Sequence, residues 1–186
     1  VVRPSLGVSA LKSSLARRGL DVEVSYGSLR FADSIGLELN QWVAELANVN
    51  WLLGEWIFSK ALFGLDTPHS KYHEEIIGAG CPAEFRNTLL SSQDIAAQFV
   101  ELEARKIVES RFGIVGFSTS FQQNCASLAI AKTVKAISPS TIILFGGANC
   151  EGTLGQALAK QFSQIDLVLS GEGDQALPDL VERLLS

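Results

Sequence analysis

The chain reads as an α/β domain organised around a parallel sheet with helices on both faces. Three observations carry that reading. In the second half, short β-branched, apolar runs alternate with apolar stripes at helical spacing. Those runs are apolar throughout, as expected of strands covered on both faces. Glycines fall where the runs stop, at Gly146-Gly147 and at Gly171 and Gly173.

Taken in order, Leu6 to Arg18 reads as a helix stopped by Gly19, and Asp21 to Tyr26 (DVEVSY) as a strand. A crossover helix normally follows a strand, and Val1-Val2 is too short to be one. The first strand is therefore expected to be missing and the chain to be a fragment of something longer. Residues 27–113 hold no good strand run. Ile35, Leu39, Trp42, Val43 and Leu46 make an amphipathic helix. Leu52 to Phe63 is apolar nearly all round and should be buried or at an interface. Ser91-Ser92-Gln93-Asp94 resembles a capping box with Asp in place of Glu. It should open a helix running to about Ser110, with Ile95, Phe99 and Leu102 on one face. Thr67-Pro68 and Cys81-Pro82 are expected breaks. Residues 32–111 thus read as a helical insertion between the second and third strands of one domain spanning 1–186.

The rest alternates. Ile114 to Ser118 (IVGFS) is a strand, and Gln123 to Ile137 a helix with Ala126, Ile130, Val134 and Ile137 on its stripe. Thr141 to Phe145 (TIILF) is the next strand, followed by a helix carrying Leu154, Ala157, Leu158 and Phe162. Leu167 to Ser170 is the last strand, and Leu177, Leu180, Val181 and Leu184 mark the last helix.

Composition narrows the function. The 186 residues are 47% hydrophobic and 19% charged, with a net charge of −5 and no run of lysine or arginine. Nucleic-acid binding needs clustered cations, so it is not expected. The greasiest stretch, WLLGEWIFSKALFG, is broken by Glu55 and Lys60 and falls short of the roughly 18 apolar residues that span a bilayer. No signal peptide is visible. Cys81, Cys125 and Cys150 form neither a disulfide framework nor a metal motif, and reduced thiols in the cytoplasm are the simpler reading.

In open parallel sheets, ligands sit outside the carboxyl ends of the strands. Three polar, small-residue loops are expected there. The first holds Ser118, Thr119, Ser120, Phe121, Gln122 and Gln123; the second Gly146, Gly147, Ala148, Asn149, Cys150, Glu151 and Gly152; the third Gly171, Glu172, Gly173 and Asp174. Glycine alone could serve only to turn strand into helix. Three such loops, with Gln122, Asn149 and Asp174 converging on one edge, ask for more. The chain has no GxGxxG after a strand and no GxxxxGK[ST], and Glu172 and Asp174 would repel a phosphate. A large ligand recognised through amides and hydroxyls suits this edge better than a nucleotide or a flavin.

At this point a resemblance enters. The segments GFSTSFQQNCASLAIAKTVK, GGANCEGTLGQALAKQF, IDLVLSGEGD and ALPDLVERL resemble the cobalamin-binding domain at the N-terminus of radical SAM enzymes, most of all those that mature ribosomal peptides (RiPPs). RPSLGVSALKSSLARRG and LLGEWIFSKALFG resemble the same family, so most of the chain is covered. The resemblance implies a flavodoxin-like, Rossmann-like sheet with the corrin ring against its carboxyl edge. Gly146 and Gly147 match the family's Gly-Gly after the fourth strand; Ser118 matches the leading serine of its Ser-x-Leu, although Ser118-Thr119-Ser120 follows here. The Asp-x-His-x-x-Gly whose histidine ligates cobalt is absent, and Asp66-Thr67-Pro68-His69 has the wrong spacing. The resemblance therefore implies cobalamin without a protein histidine ligand, and a peptide C-methyltransferase. A downstream radical SAM domain would carry S-adenosylmethionine and a 4Fe-4S cluster, and a ribosomal precursor peptide would be the partner. The alternative is a corrinoid-free interaction domain that docks precursor peptide or the catalytic domain.

Other residues invite chemistry and have plainer readings. His69 and His73 with Glu74 and Glu75 could form a zinc face, but no third strong ligand is evident and a solvated helix surface is favoured. Cys125 lies early in a helix, which can lower a thiol pKa, yet small buried residues are the commoner case. Trp42, Trp51 and Trp56 are spaced as packing anchors. Glu172 and Asp174 lack an identifiable partner for acid–base work.

Overall fold

The computed structural model describes residues 5–64 and 73–186. The Thr67-Pro68 break and His69 lie outside the described residues, as does the His73 side chain.

The molecule is α/β, with a three-stranded parallel sheet in the order β1 (Ile114–Ser118), β2 (Ile142–Gly146), β3 (Leu167–Val168). Ile114 pairs Ile142 and Leu144 pairs Leu167, so the three strands end on one edge. Helix α6 (Asn124–Ile137) crosses from β1 to β2, and α7 (Gly152–Gln161) from β2 to β3. The helix α8 (Gly173–Leu185) closes the chain. Sequential parallel order with right-handed crossovers puts α6 and α7 on the same face.

That face is the core. Ile143 and Phe145 of β2 have no solvent exposure and join Leu128, Ile130 and Val134 of α6 in one apolar cluster. The cluster continues into the helices that precede the sheet: α2 (Gly27–Ile35), α3 (Leu37–Gln41), α4 (Leu53–Phe63) and α5 (Ala83–Glu109). Phe31, Phe58 and Phe99 stack within it at ring separations of 4.6, 5.1 and 6.3 Å. Trp42 is buried beside Trp51 and Phe85, so these anchors pack as expected. Helices α4 and α5 thus pack against α6 and share the core of the sheet.

Away from that core, α1 (Leu6–Arg17) packs along α8. Ser5 caps α1 through Val8 N–H, and Gly19, at φ +74°, ends it where a side chain would be strained. Leu11 of α1 and Leu169 converge on Gly173, where a β-carbon would stand 3.2 and 3.1 Å from them. The side of β1 that bears Gly116 and Ser118 is open, since both are exposed and a β-carbon on Gly116 would meet nothing within 4 Å.

Four expectations change. Asp21–Tyr26 is not a strand. Its burial alternates as a strand's would, with Asp21, Glu23 and Ser25 exposed and Val22, Val24 and Tyr26 half-buried. No ladder forms, because β1 pairs only with β2 among the described residues. The helix expected through Ile35–Leu46 is split at Gly36 (φ +88°) and ends as a π-helical turn over Trp42–Leu46, with Leu46 exposed. The segment Ser91–Asp94 starts nothing: α5 begins after Pro82 and runs unbroken through it. Ser91 and Ser92 donate back to the carbonyls of Thr88 and Leu89, the alternative use of a serine hydroxyl inside a helix. On α5, Phe99 is buried and Ile95 half-buried, but Leu102 is exposed. The Cys81-Pro82 break stands, between a π-helical His73–Gly80 and α5. No helix among the described residues is long and apolar enough to cross a membrane.

Candidate functional site

The three loops leave the sheet on one edge, and hydrogen bonds knit neighbouring loops together. After β1, the Thr119 N–H continues the ladder to the Gly146 carbonyl at 2.8 Å. The Asn149 amide then bridges the first two loops, donating to the Ser120 carbonyl at 2.5 Å and to Asn124 Oδ1 at 2.9 Å. Gly147 allows this approach, because a β-carbon there would lie 2.5 Å from the Thr119 carbonyl oxygen. Its φ of +94° and ψ of −175° belong to a region open essentially to glycine alone. Loops two and three are joined by Glu151, whose carboxylate accepts from the Gly171 N–H at 3.1 Å and from the Ser170 hydroxyl at 3.5 Å.

Most of the expected residues stand at the surface. Ser118, Ser120, Gly147, Ala148, Gly171, Glu172 and Asp174 are exposed, Phe121 is 54% exposed, and Gln122, Gly146, Asn149 and Gly173 are partly covered. Thr119 is buried, so its hydroxyl serves the Gly146 carbonyl and Cys150 instead of a ligand. Polarity divides the rim. Loops one and two offer hydroxyls, amides and backbone, while Glu151, Glu172 and Asp174 make the third side acidic.

The expected convergence of Gln122, Asn149 and Asp174 is corrected in detail. All three sit on the carboxyl edge, but their bonds diverge. Gln122 Oε1 accepts from Gly54 N–H of α4 at 2.7 Å. Asp174 accepts from the Gln175 N–H in its own helical turn, and its carbonyl takes the Ser14 hydroxyl of α1. Of these three, Asn149 is the one whose side chain ties one rim loop to another. Beneath it a cavity of about 190 Å³ opens between α6 and α7, with Asn124 and Asn149 set among Leu154, Ala157, Leu158 and Phe162.

Several site residues escaped sequence reasoning. Glu55 of α4 accepts from Asn124 N–H (3.1 Å) and Cys125 N–H (2.7 Å), the first amides of α6. Gln123 accepts from the Ser120 N–H and hydroxyl at 2.9 and 3.1 Å, tightening the first loop. Gln123 lies in the quoted loop and could have been read as a turn residue. Glu55 lies 69 residues away from Asn124 and carried no local signal.

The favoured reading of Cys125 as a small covered residue, not a thiol activated by a helix start, agrees with its surroundings. Burial, and then the Glu55 carboxylate beside it, push this thiol up to about 12, so it is a poor nucleophile. Burial likewise raises Cys81 and Cys150, and all three cysteines are free. No group of His, Cys, Asp and Glu able to hold a metal ion occurs among the described residues.

Comparison with known proteins returns nothing that matches the chain: no family model, no curated protein and no solved structure.

Proposed function

We propose that this chain is the corrinoid-binding module of a radical SAM enzyme that C-methylates a ribosomal peptide, on a Rossmann-like, flavodoxin-like sheet. The observation that carries the reading is the neutral, open rim formed by the loops after β1 and β2, knitted by Asn149 and lacking any phosphate cradle. A corrin ring is flat and fringed with amides, and such a periphery is held by hydroxyls, amides and exposed backbone rather than by charge. Ser118 and the backbone of Gly147 and Ala148 present polar groups at that rim, with Phe121 as an exposed apolar edge, while Ser120 and Asn149 use their donors to hold the loops in place.

When bound, cobalamin supplies methyl transfer to a carbon that has no lone pair with which to attack a methyl donor. The chain's own residues would hold and orient it: loops one and two would line the periphery, with Asn149 fixing their spacing. The acidic third loop disfavours a nucleotide or flavin phosphate on that side. S-adenosylmethionine and the iron–sulfur cluster would belong to a catalytic domain partnering this one.

Titrating the chain with hydroxocobalamin tests the reading. A saturable shift of the visible spectrum at tens of micromolar is expected, and an unchanged spectrum overturns it. The second reading, a corrinoid-free docking module, draws on exposed Phe121 at the rim and exposed Leu46 and Val49 in the insertion. Binding of a precursor peptide to the corrinoid-free chain, with no spectral response to hydroxocobalamin, would favour it.

A further inference from the structure

Two helices of this molecule lack caps of their own and borrow them from each other. Helix α4 starts after Leu52, whose side chain caps nothing, and α6 starts after Gln123, which makes no side-chain cap bond either. Such starts leave backbone N–H groups without intrahelical partners. Here the partners cross between the insertion and the rim. Gln122, in the first rim loop, accepts from Gly54 N–H in the first turn of α4 at 2.7 Å. Glu55, in that same turn, accepts from the Asn124 and Cys125 N–H groups of α6. This is the logic of a capping box, with its two halves on segments far apart in sequence. The carboxylate also lies against the positive amino terminus of α6, where a negative charge is favoured.

The joint is tight and strained. A β-carbon on Gly54 would come within 2.9 Å of both Gln122 Cβ and the Gln122 carbonyl oxygen, so only glycine lets the two segments meet this closely. Three non-glycine residues among those described have positive φ, and two of them flank the contact: Leu52 at +51° and Gln122 at +61°. Such conformations persist where the surroundings hold them.

We propose that Gly54, Glu55 and Gln122 form a reciprocal clasp that makes the insertion helix α4 and the first rim loop one cooperative unit, so that a change of conformation on either side is carried to the other. The clasp goes beyond the corrinoid reading and does not rest on it, because each half is defined by protein groups alone. Its consequence for any rim ligand is direct: one that draws Gln122 away from Gly54 loosens α4, and docking of the insertion sets the loop that the ligand meets.

Residue-resolved hydrogen exchange on Glu55→Gln and Gln122→Ala tests this. A neutral hydrogen bond such as Gly54 to Gln122 has a net strength of up to about tenfold in local opening, and bonds to the charged Glu55 about tenfold or more. Gln122→Ala should speed exchange about tenfold at Gly54, the bond it removes, and also at Asn124 and Cys125, which it does not touch. Glu55→Gln should do the converse, speeding Gly54 as well as Asn124 and Cys125. Exchange at Ile143 and Phe145 in β2 should stay as in the parent, which certifies the fold. Acceleration confined in each variant to its own side of the joint overturns the proposal. Should Glu55→Gln unfold the chain, Glu55→Asp keeps the charge on a shorter arm. It must then give an intermediate acceleration at Gly54, and none there is equally fatal. No readout uses a ligand, so failure of the clasp and failure of the corrinoid assignment are separate results.

Discussion

Replacing Gly147 by alanine should be far more damaging than replacing Gly171, although both lie on the same rim and both have positive φ. At Gly147 two costs combine. Its φ of +94° and ψ of −175° lie where a side chain costs about 1–3 kcal/mol of backbone strain. The added β-carbon would also stand 2.5 Å from the Thr119 carbonyl oxygen and 3.0 Å from the Thr119 nitrogen. Those neighbours are backbone, held by the 2.8 Å bond from Thr119 N–H to Gly146, so relief requires moving the end of β1. Overpacking of this kind costs about 1–3 kcal/mol more. At Gly171 the φ is +91°, but a β-carbon meets nothing within 4 Å, leaving strain alone. Gly147→Ala should therefore lose about 2–6 kcal/mol and Gly171→Ala about 1–3 kcal/mol. The larger loss is a substantial part of the roughly 5–15 kcal/mol that holds a domain folded. Urea unfolding followed by the fluorescence of the three tryptophans reads the difference. Equal midpoints for the two variants, or a milder Gly147→Ala, would refute the claim that loops one and two meet through backbone contact.

Two further predictions concern charge. Alkylation of Cys125, followed by peptide mass spectrometry, should rise about tenfold per pH unit from pH 8 to 10 without levelling, since its thiol is pushed up to about 12 by burial and by Glu55. Glu55→Gln should shift that curve to lower pH, and a plateau below pH 10 in the parent would contradict the burial described. The raised value carries a stability consequence: the contribution is complete below the ordinary thiol range and is lost as pH rises toward 12. Glu103 works in the opposite sense. It is 4% exposed, and burial pushes its carboxyl up, yet hydrogen bonds from Arg30 and Lys106 overcome this and hold it below the usual range. Its contribution is present above that range and lost as pH falls through it. Arg30→Ala should cost about 2–3 kcal/mol at neutral pH, and the penalty should shrink as pH falls through and below the ordinary carboxylate range. A penalty in urea midpoint that does not vary with pH would sink this account.

The sheet and its crossovers were legible because each is written locally. IVGFS, TIILF and LVLS are largely apolar runs, and α6 between the first two keeps a buried stripe at Leu128, Ile130 and Val134, so neighbours in sequence are neighbours in space; the stripe expected on α7 is only half-buried, with Leu154 and Ala157 exposed. Asp21–Tyr26 shows what such a pattern leaves out. Its alternation is real in the burial of Val22 and Val24, but pairing is a property of two segments, and no partner lies beside it among the described residues. Ser91-Ser92 misled for a different reason: a serine hydroxyl can cap a helix or bond back inside one, and the apolar positions Leu89 and Ala96 keep α5 running. In the site, the loops were legible from glycine and polarity, and the glue was partly so, since Asn149 sits inside a loop. The borrowed caps were not, because Glu55 and Asn124 meet only once the core has formed.

The apolar cluster described for the fold has a practical corollary. Phe31, Phe58 and Phe99 pack in the same continuous mass as Ile143 and Phe145, so the extra helices are a wall of the building and not an annex. Anyone seeking a minimal version by trimming residues 32–111 would strip the sheet of its lid and α6 of its cap in one cut. Tolerated shortening should instead be sought at the chain's outer turns, such as the one bearing exposed Leu46 and Val49.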